Sequence, residues 1–306
     1  MAFTAKDVKD LREMTGVGMM DCKKALTATD GDVDKAVEWL REKGLAAAQK
    51  KASRIAAEGM AYAAVIDGVG VVVEVNAETD FASKNELFTD YVKNIAAVVA
   101  KDAPADLDAL MVCKYPGTDL TVQEEQQEKV LVIGENIKVR RFERFADGFS
   151  VPYIHAGGKI GVIVNMEVNG IEDTAAVTEL GKDIAMQIAA MRPMFRDKSD
   201  VDEAFINKEK EIRLAQAKED PKNAKKPDAI IEKIVMGGIA KYYREICLLQ
   251  QDFVKDNSVS VEQHVANVAK SLGGTIAVKA YVRFEKGEGI EKRKENFAEE
   301  IAKLVK

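Results

Sequence analysis

Residues 71–85 read VVVEVNAETDFASKN, and Thr79, Asp80 and Phe81 are the residues in it most able to do chemistry. An apolar run ends there and a helix start signal follows at once, so a carboxylate and an aromatic ring share one short turn. Exposing the ring forfeits about 1.5–3 kcal/mol, so a ring on a turn is a feature of contact sites. The competing expectation is that Phe81 folds back into its own core, as most Phe side chains do. Residue type alone favours that burial.

Other chemistry has little material. The two histidines, His155 and His264, are far apart, and His155 reads as a polar residue at a strand end. Cys22, Cys113 and Cys247 form no CxxC pair, which points to a reducing, cytosolic setting. No G-x-x-x-x-G-K-[ST] loop is present. Gly68 and Gly70 begin a G-x-G, but Val73 takes the place of the third glycine. No spacing pairs two carboxylates for acid–base work. By exclusion the chain reads as a binding protein rather than an enzyme, with no metal or cofactor expected.

Composition agrees. The chain has 306 residues, 47% hydrophobic and 31% charged, as expected of two or three soluble domains. A net charge of −6 argues against broad nucleic-acid binding. No apolar run reaches membrane-spanning length, and the N-terminus MAFTAKDVKDLRE lacks the apolar centre of a signal peptide. A basic stretch, REKGLAAAQKKASR at 41–54, reads as a solvated helix and linker or as an RNA site. It has no interleaved aromatic residues for base stacking.

The elements that position the turn follow from periodicity. Thr4 and Asp7 have capping-box spacing, with Val8, Leu11 and Met14 on one face and Gly16 as a stop. A second helix carries Met19, Met20, Cys22, Ala25 and Leu26. A third turns Val33, Ala36, Val37 and Leu40 inward, with Trp39 in the same small core. Residues 59–76 switch to a hairpin around Asp67-Gly68. Ser83 and Glu86 have capping-box spacing before a helix with Leu87, Phe88, Tyr91, Val92 and Ile95 as its stripe. Residues 122–139 predict a helix and then a strand. YIHAGGKIGVIVNMEV at 153–168 and the helical 174–193 resemble the earlier hairpin and helix, as in a diverged repeat. Stripes at Val201, Phe205, Ile212, Ala215 and at Ile231, Val235, Tyr242, Ile246, Leu249 flank a break at Pro221 and Pro227. They predict an antiparallel helical hairpin, an arm for oligomerisation or a partner. A helix at 261–272, a strand-like TIAVKAYVRFEKGEG at 275–289 that ends in glycines and a charged helix at 291–306 close the chain.

Several blocks resemble the bacterial elongation factor Ts family in the right order: LREMTGVGMMDCKKAL at 11–26, GDVDKAVEWLREKG at 31–44, EVNAETDF at 74–81, HAGGKIGVIV at 155–164 and RFEKGEGIEK at 283–292. Ala77 stands where that family often carries Cys, and Ala82 where Val is usual. The resemblance implies an α+β fold with four parts. These are a UBA-like three-helix domain (1–54), a core N-subdomain (55–140), a core C-subdomain (141–286) and a C-terminal helical module (287–306). The core C-subdomain carries the hairpin, a coiled coil, at about 200–250. It also implies a cytoplasmic guanine-nucleotide exchange factor for elongation factor Tu, with no catalytic residues. Leu11, Arg12, Met19 and Met20 match the family's contact region. Asp80 and Phe81, following Thr79, would enter the GTPase domain near its magnesium and phosphate site, and His155 would touch the partner. Asp80 would perturb magnesium ligation or pair with a partner group. Assembly as a homodimer or heterotetramer through the hairpin stays open.

Overall fold

The computed structural model of the chain describes residues 3–223 and 226–291. The helix expected to close the chain lies outside them apart from Glu291. Three helices come first: α1 (Ala5–Thr15), α2 (Met19–Ala28) and α3 (Val33–Lys51). Thr4 and Asp7 form the expected capping box, and Gly16 ends α1 in the left-handed region. Val8, Leu11, Cys22, Leu26 and Leu40 fill the shared core, with Trp39 only partly buried against it. Met14 and Val33, expected to face inward, are exposed. Met14 instead rims a groove with Leu131 and Val132, and Val33 is the first residue of its helix.

The hairpin β1 (Glu58–Ile66) and β2 (Val69–Ala77) turns at Asp67 and Gly68, both at positive φ. Next come α4 (Asp80–Ser83), α5 (Glu86–Asp102), α6 (Leu107–Val112), α7 (Val122–Ile133) and β3 (Lys138–Phe145). The capping box expected from Ser83 and Glu86 does not form. Ser83 is the last residue of α4, and its Oγ donates to the Asp80 carbonyl at 2.8 Å. Asn85 caps α5 instead, its Oδ1 accepting from the Leu87 N–H at 2.9 Å. Phe88, Tyr91, Val92 and Ile95 are core, but Leu87, at the helix start, is exposed.

The chain then repeats the plan. β4 (Phe149–His155) and β5 (Ile160–Asn169) form a hairpin, and α8 (Thr174–Met191) follows. After α9 (Glu203–Glu219), α10 (Asp228–Ile246), the small β6 (Asp252–Phe253) and β7 (Asp256–Ser260) pair and α11 (Val261–Ser271) comes β8 (Thr275–Glu285). The sheets are antiparallel with orders β1-β2-β3 and β4-β5-β8. Each is a hairpin, a covering helix and a third strand on the hairpin's second. Even the irregularities match: the ladder slips between Glu74 and Val75 opposite Arg140, and between Asn165 and Met166 opposite Lys279.

The two sheets face each other across Ala61, Ala63, Val72, Ile163 and Phe284, while α5 covers one, with α7 packed against α5, and α8 and α11 cover the other. Small residues let the sheets approach. A Cβ on Gly161 would lie 2.9 Å from the Ala61 carbonyl oxygen. Gly161→Ala is therefore expected to cost about 1–3 kcal/mol. Urea unfolding should show a lower midpoint at unchanged slope, and an unmoved midpoint would mean that the sheets part without penalty.

α9 and α10 run antiparallel, since Val201 and Ile206 at the start of one meet Ile246 and Cys247 at the end of the other. The α9 stripe differs from the expected one. Ile206, Leu214 and Ala217 pack on α10, whereas Ile212 and Ala215 are exposed. Phe205 is partly exposed and stacks on Tyr242 at 6.4 Å between ring centres. Leu249 has left the arm and packs with the core of the second sheet.

Candidate functional site

β2 is buried from Gly70 through Ala77, so the turn that follows starts from a fixed strand. Thr79 caps α4, its Oγ1 accepting from the Ala82 N–H at 3.2 Å. The same residue is gripped from outside. Its N–H donates to Glu135 Oε2 at 2.9 Å and its Oγ1 donates to Glu135 Oε1 at 2.6 Å. Beside it the Asn136 N–H donates to Glu78 Oε1 at 2.6 Å, and Asn136 Nδ2 donates to the Arg54 carbonyl at 2.8 Å. Ala82 and Ser83 are buried against the core. Phe81, between Asp80 and this anchored pair, is 83% exposed, the highest among the large hydrophobic side chains described. The choice between burial and exposure is thus settled for exposure. The backbone is tied down on both sides, so the ring stands out from a rigid base.

Asp80 Oδ2 accepts from Lys84 Nζ at 2.7 Å. That hydrogen bond, aided by the charges of Lys84 and Lys286, holds the carboxyl below its usual range. A depressed value in the folded state means that the pair's stabilisation is present above the ordinary Asp range. It is lost as pH falls through the depressed value. Lys84→Met is expected to return Asp80 toward the ordinary range, read by NMR titration of its carboxyl carbon. An unmoved titration would show that Lys84 does not set it.

His155 ends β4, exposed, with Nδ1 3.1 Å from the Tyr153 hydroxyl. The loop beyond it joins the first half, since the Ala61 N–H donates to the Gly158 carbonyl at 2.8 Å. Glu58 pairs with Ala77 at the start of β1, so this loop and the Thr79-Asp80-Phe81 turn lie at one end of the two-sheet core. Lys286 marks that end too, its Nζ 2.6 Å from Glu58 Oε2.

The N-terminal residues form a separate surface. Arg12 is exposed, Met19 is 50% and Met20 64% exposed, and Met14 lies beside them in sequence. Flexible thioethers suit a contact surface. Leu11, expected as a contact, is 1% exposed and belongs to the three-helix core.

The basic run at 41–54 is largely occupied. Arg41 lies 3.4 Å from Glu128, Lys51 donates to the Val130 carbonyl at 3.4 Å, Arg54 lies 3.5 Å from Glu78, and Lys43 sits over Trp39. This fits the solvated-helix reading. A concavity of about 780 Å³ lies elsewhere, between residues 192–200 and β8. Its cations are paired as well, Arg196 with Asp200 and Arg192 with Glu285.

Periodicity missed the braces. Glu135 follows a helix-ending Gly134 and reaches Thr79 across 56 positions, a separation that no local pattern encodes. Glu74 is fully buried in β2, where its carboxylate meets Arg140 at 3.0 Å and Arg141 at 2.6 Å and accepts from the Gly287 N–H at 2.8 Å. A charged residue within an apolar strand was its one sequence signal.

Comparison with known proteins places these features in a family. The family model described as Elongation factor TS matches residues 78–288. Elongation factor Ts of Magnetococcus marinus is 47% identical over 100% of this chain and 99% of its own length. The protein of that name from Clostridium perfringens is 49% identical over 99% of each chain. The one from Syntrophotalea carbinolica is 47% identical over the full length of both. Matches of this extent, with the Asp-Phe turn inside the matched region, show that the chain belongs to the elongation factor Ts family.

Proposed function

We propose that the chain is a guanine-nucleotide exchange factor for elongation factor Tu, acting by binding and without an active site of its own. Family membership supports the partner. The observation that carries the mechanism is Phe81, 83% exposed on a turn anchored by Glu135 and the buried Ala82 and Ser83. In this reading Phe81 wedges into the GTPase domain near its magnesium and phosphate site. It adds packing area while freezing only two torsions. Nucleotide and factor favour different conformations of the GTPase, so each weakens the other by the same coupling free energy. Asp80 enters charged, paired with Lys84, and either perturbs magnesium ligation by its charge or exchanges Lys84 for a group of the partner. Arg12, Met19 and Met20 hold a second part of the GTPase, and His155 a third.

The four-part division at residues 54, 140 and 286, the UBA-like character of the first part and a cytoplasmic location belong to the same proposal. No described helix is long and apolar enough to cross a membrane. The α9–α10 arm, with Ile212, Ile230 and Ile234 exposed, is the element through which a homodimer or heterotetramer would assemble. The test is release of labelled GDP from elongation factor Tu with and without this protein. Accelerated release is expected. A rate independent of the protein's concentration would overturn the proposal.

A further inference from the structure

Glu135 serves the wedge from a distance. It accepts two hydrogen bonds from one residue, the N–H and the hydroxyl of Thr79, at 2.9 and 2.6 Å. Thr79 in turn caps the short helix whose second residue is Phe81. A four-residue helix has little stability of its own. Its geometry is therefore set by its cap and by what holds the cap. Glu135 follows α7, which ends at Ile133 and is capped by Gly134 at φ +86. That helix packs along α3, and its Leu131 and Val132 join the core of the three N-terminal helices. One helix thus links the two regions assigned to the partner. At its flank lies the module bearing Met19 and Met20, and just past its end lies the residue gripping the Phe81 turn.

We infer that Glu135 is a positioning residue for nucleotide exchange, fixing the Phe81 turn relative to the N-terminal contact surface through α7. This rests on the wedge reading above. The ring must arrive at a set angle and height when the N-terminal module has docked. A carboxylate bound to both donors of Thr79 removes the freedom of the turn to swing. Loss of the clamp leaves Phe81 present but no longer preorganised, so binding must order the turn at that moment.

The experiment is a double-mutant cycle on GDP release from elongation factor Tu, using full-length protein. Glu135→Ala is expected to lower the acceleration about tenfold, the effect of losing hydrogen bonds to a charged group. In a Phe81→Ala background the same change should add almost nothing, because the clamp acts only through the ring. Thr79→Val should follow Glu135→Ala, and Thr79→Ser, which keeps both donors, should restore the rate. Circular dichroism checks that each variant is folded. Should Glu135→Ala fail to fold, Glu135→Gln and Thr79→Val carry the cycle. An effect of Glu135→Ala that persists undiminished without Phe81 overturns positioning and leaves the wedge standing. So does a normal rate in Glu135→Ala when Phe81→Ala is slow. A normal rate in Phe81→Ala overturns both.

Discussion

Phe81→Ala is expected to remove most of the acceleration of GDP release and to leave the unfolding transition where it is. The two halves of that result come from one number, the 83% exposure of the ring. A side chain in water contributes little to the fold, and such surface changes usually stay within about 0.5 kcal/mol. Alanine is also a better helix former than Phe, so the short α4 is not weakened. Binding is a different matter. An aromatic side chain that enters a desolvated pocket at the centre of an interface is worth about 2 kcal/mol or more, roughly thirtyfold. Stopped-flow release of fluorescent GDP, measured against factor concentration, reads the loss directly. Phe81→Leu should fall between, keeping area but losing the flat shape. Full acceleration by Phe81→Ala would remove the wedge from the mechanism.

Glu74→Ala should do the reverse and damage the fold itself, by about 3 kcal/mol or somewhat more. Glu74 has no exposed surface, yet it is paired with two guanidinium groups and a backbone donor. Removing it takes an acceptor from Arg140, Arg141, the Asn76 amide and the Gly287 N–H, though Arg140 Nη2 still donates to the Glu288 carbonyl. Arg141 keeps Glu288 at 3.1 Å, and both arginines are about 30% exposed (28% and 32%), which holds the cost near the lower end. Gly287 cannot easily move away, since at φ +69 it sits against the Ala57 carbonyl. Urea unfolding measures the change, and a loss under about 1 kcal/mol would show that the cluster contributes little. Glu74→Gln, which keeps shape and one acceptor, should cost less.

Most of the architecture could be read from spacing because it is local. The Thr4–Asp7 box, the Asp67-Gly68 hairpin and the Phe88, Tyr91, Val92, Ile95 stripe each lie within one element. Errors came where two local signals compete. Ser83 fits a cap for α5, but it already closes α4, so the cap passes to Asn85. In α9 several apolar residues lie close together, and Ile206 and Leu214 win the inner face because α10 sets the register. The site was half legible. Its exposed part, Asp80 and Phe81, announces itself by residue type, whereas Glu135 and Glu74 gain their roles only from partners far along the chain.

The slipped ladders at Arg140 and Lys279 act as frame shifts in strands that otherwise alternate. Val139 and Phe142 face the same core despite an odd separation, as do Val278 and Tyr281. Beyond the slip, Phe145 and Phe284 turn to the layer between the sheets. The extra residue also lets two adjacent arginines reach one carboxylate, which strict alternation forbids. Residue count at these positions therefore matters as well as residue identity. A strand shortened by one there would present its apolar set to the wrong layer.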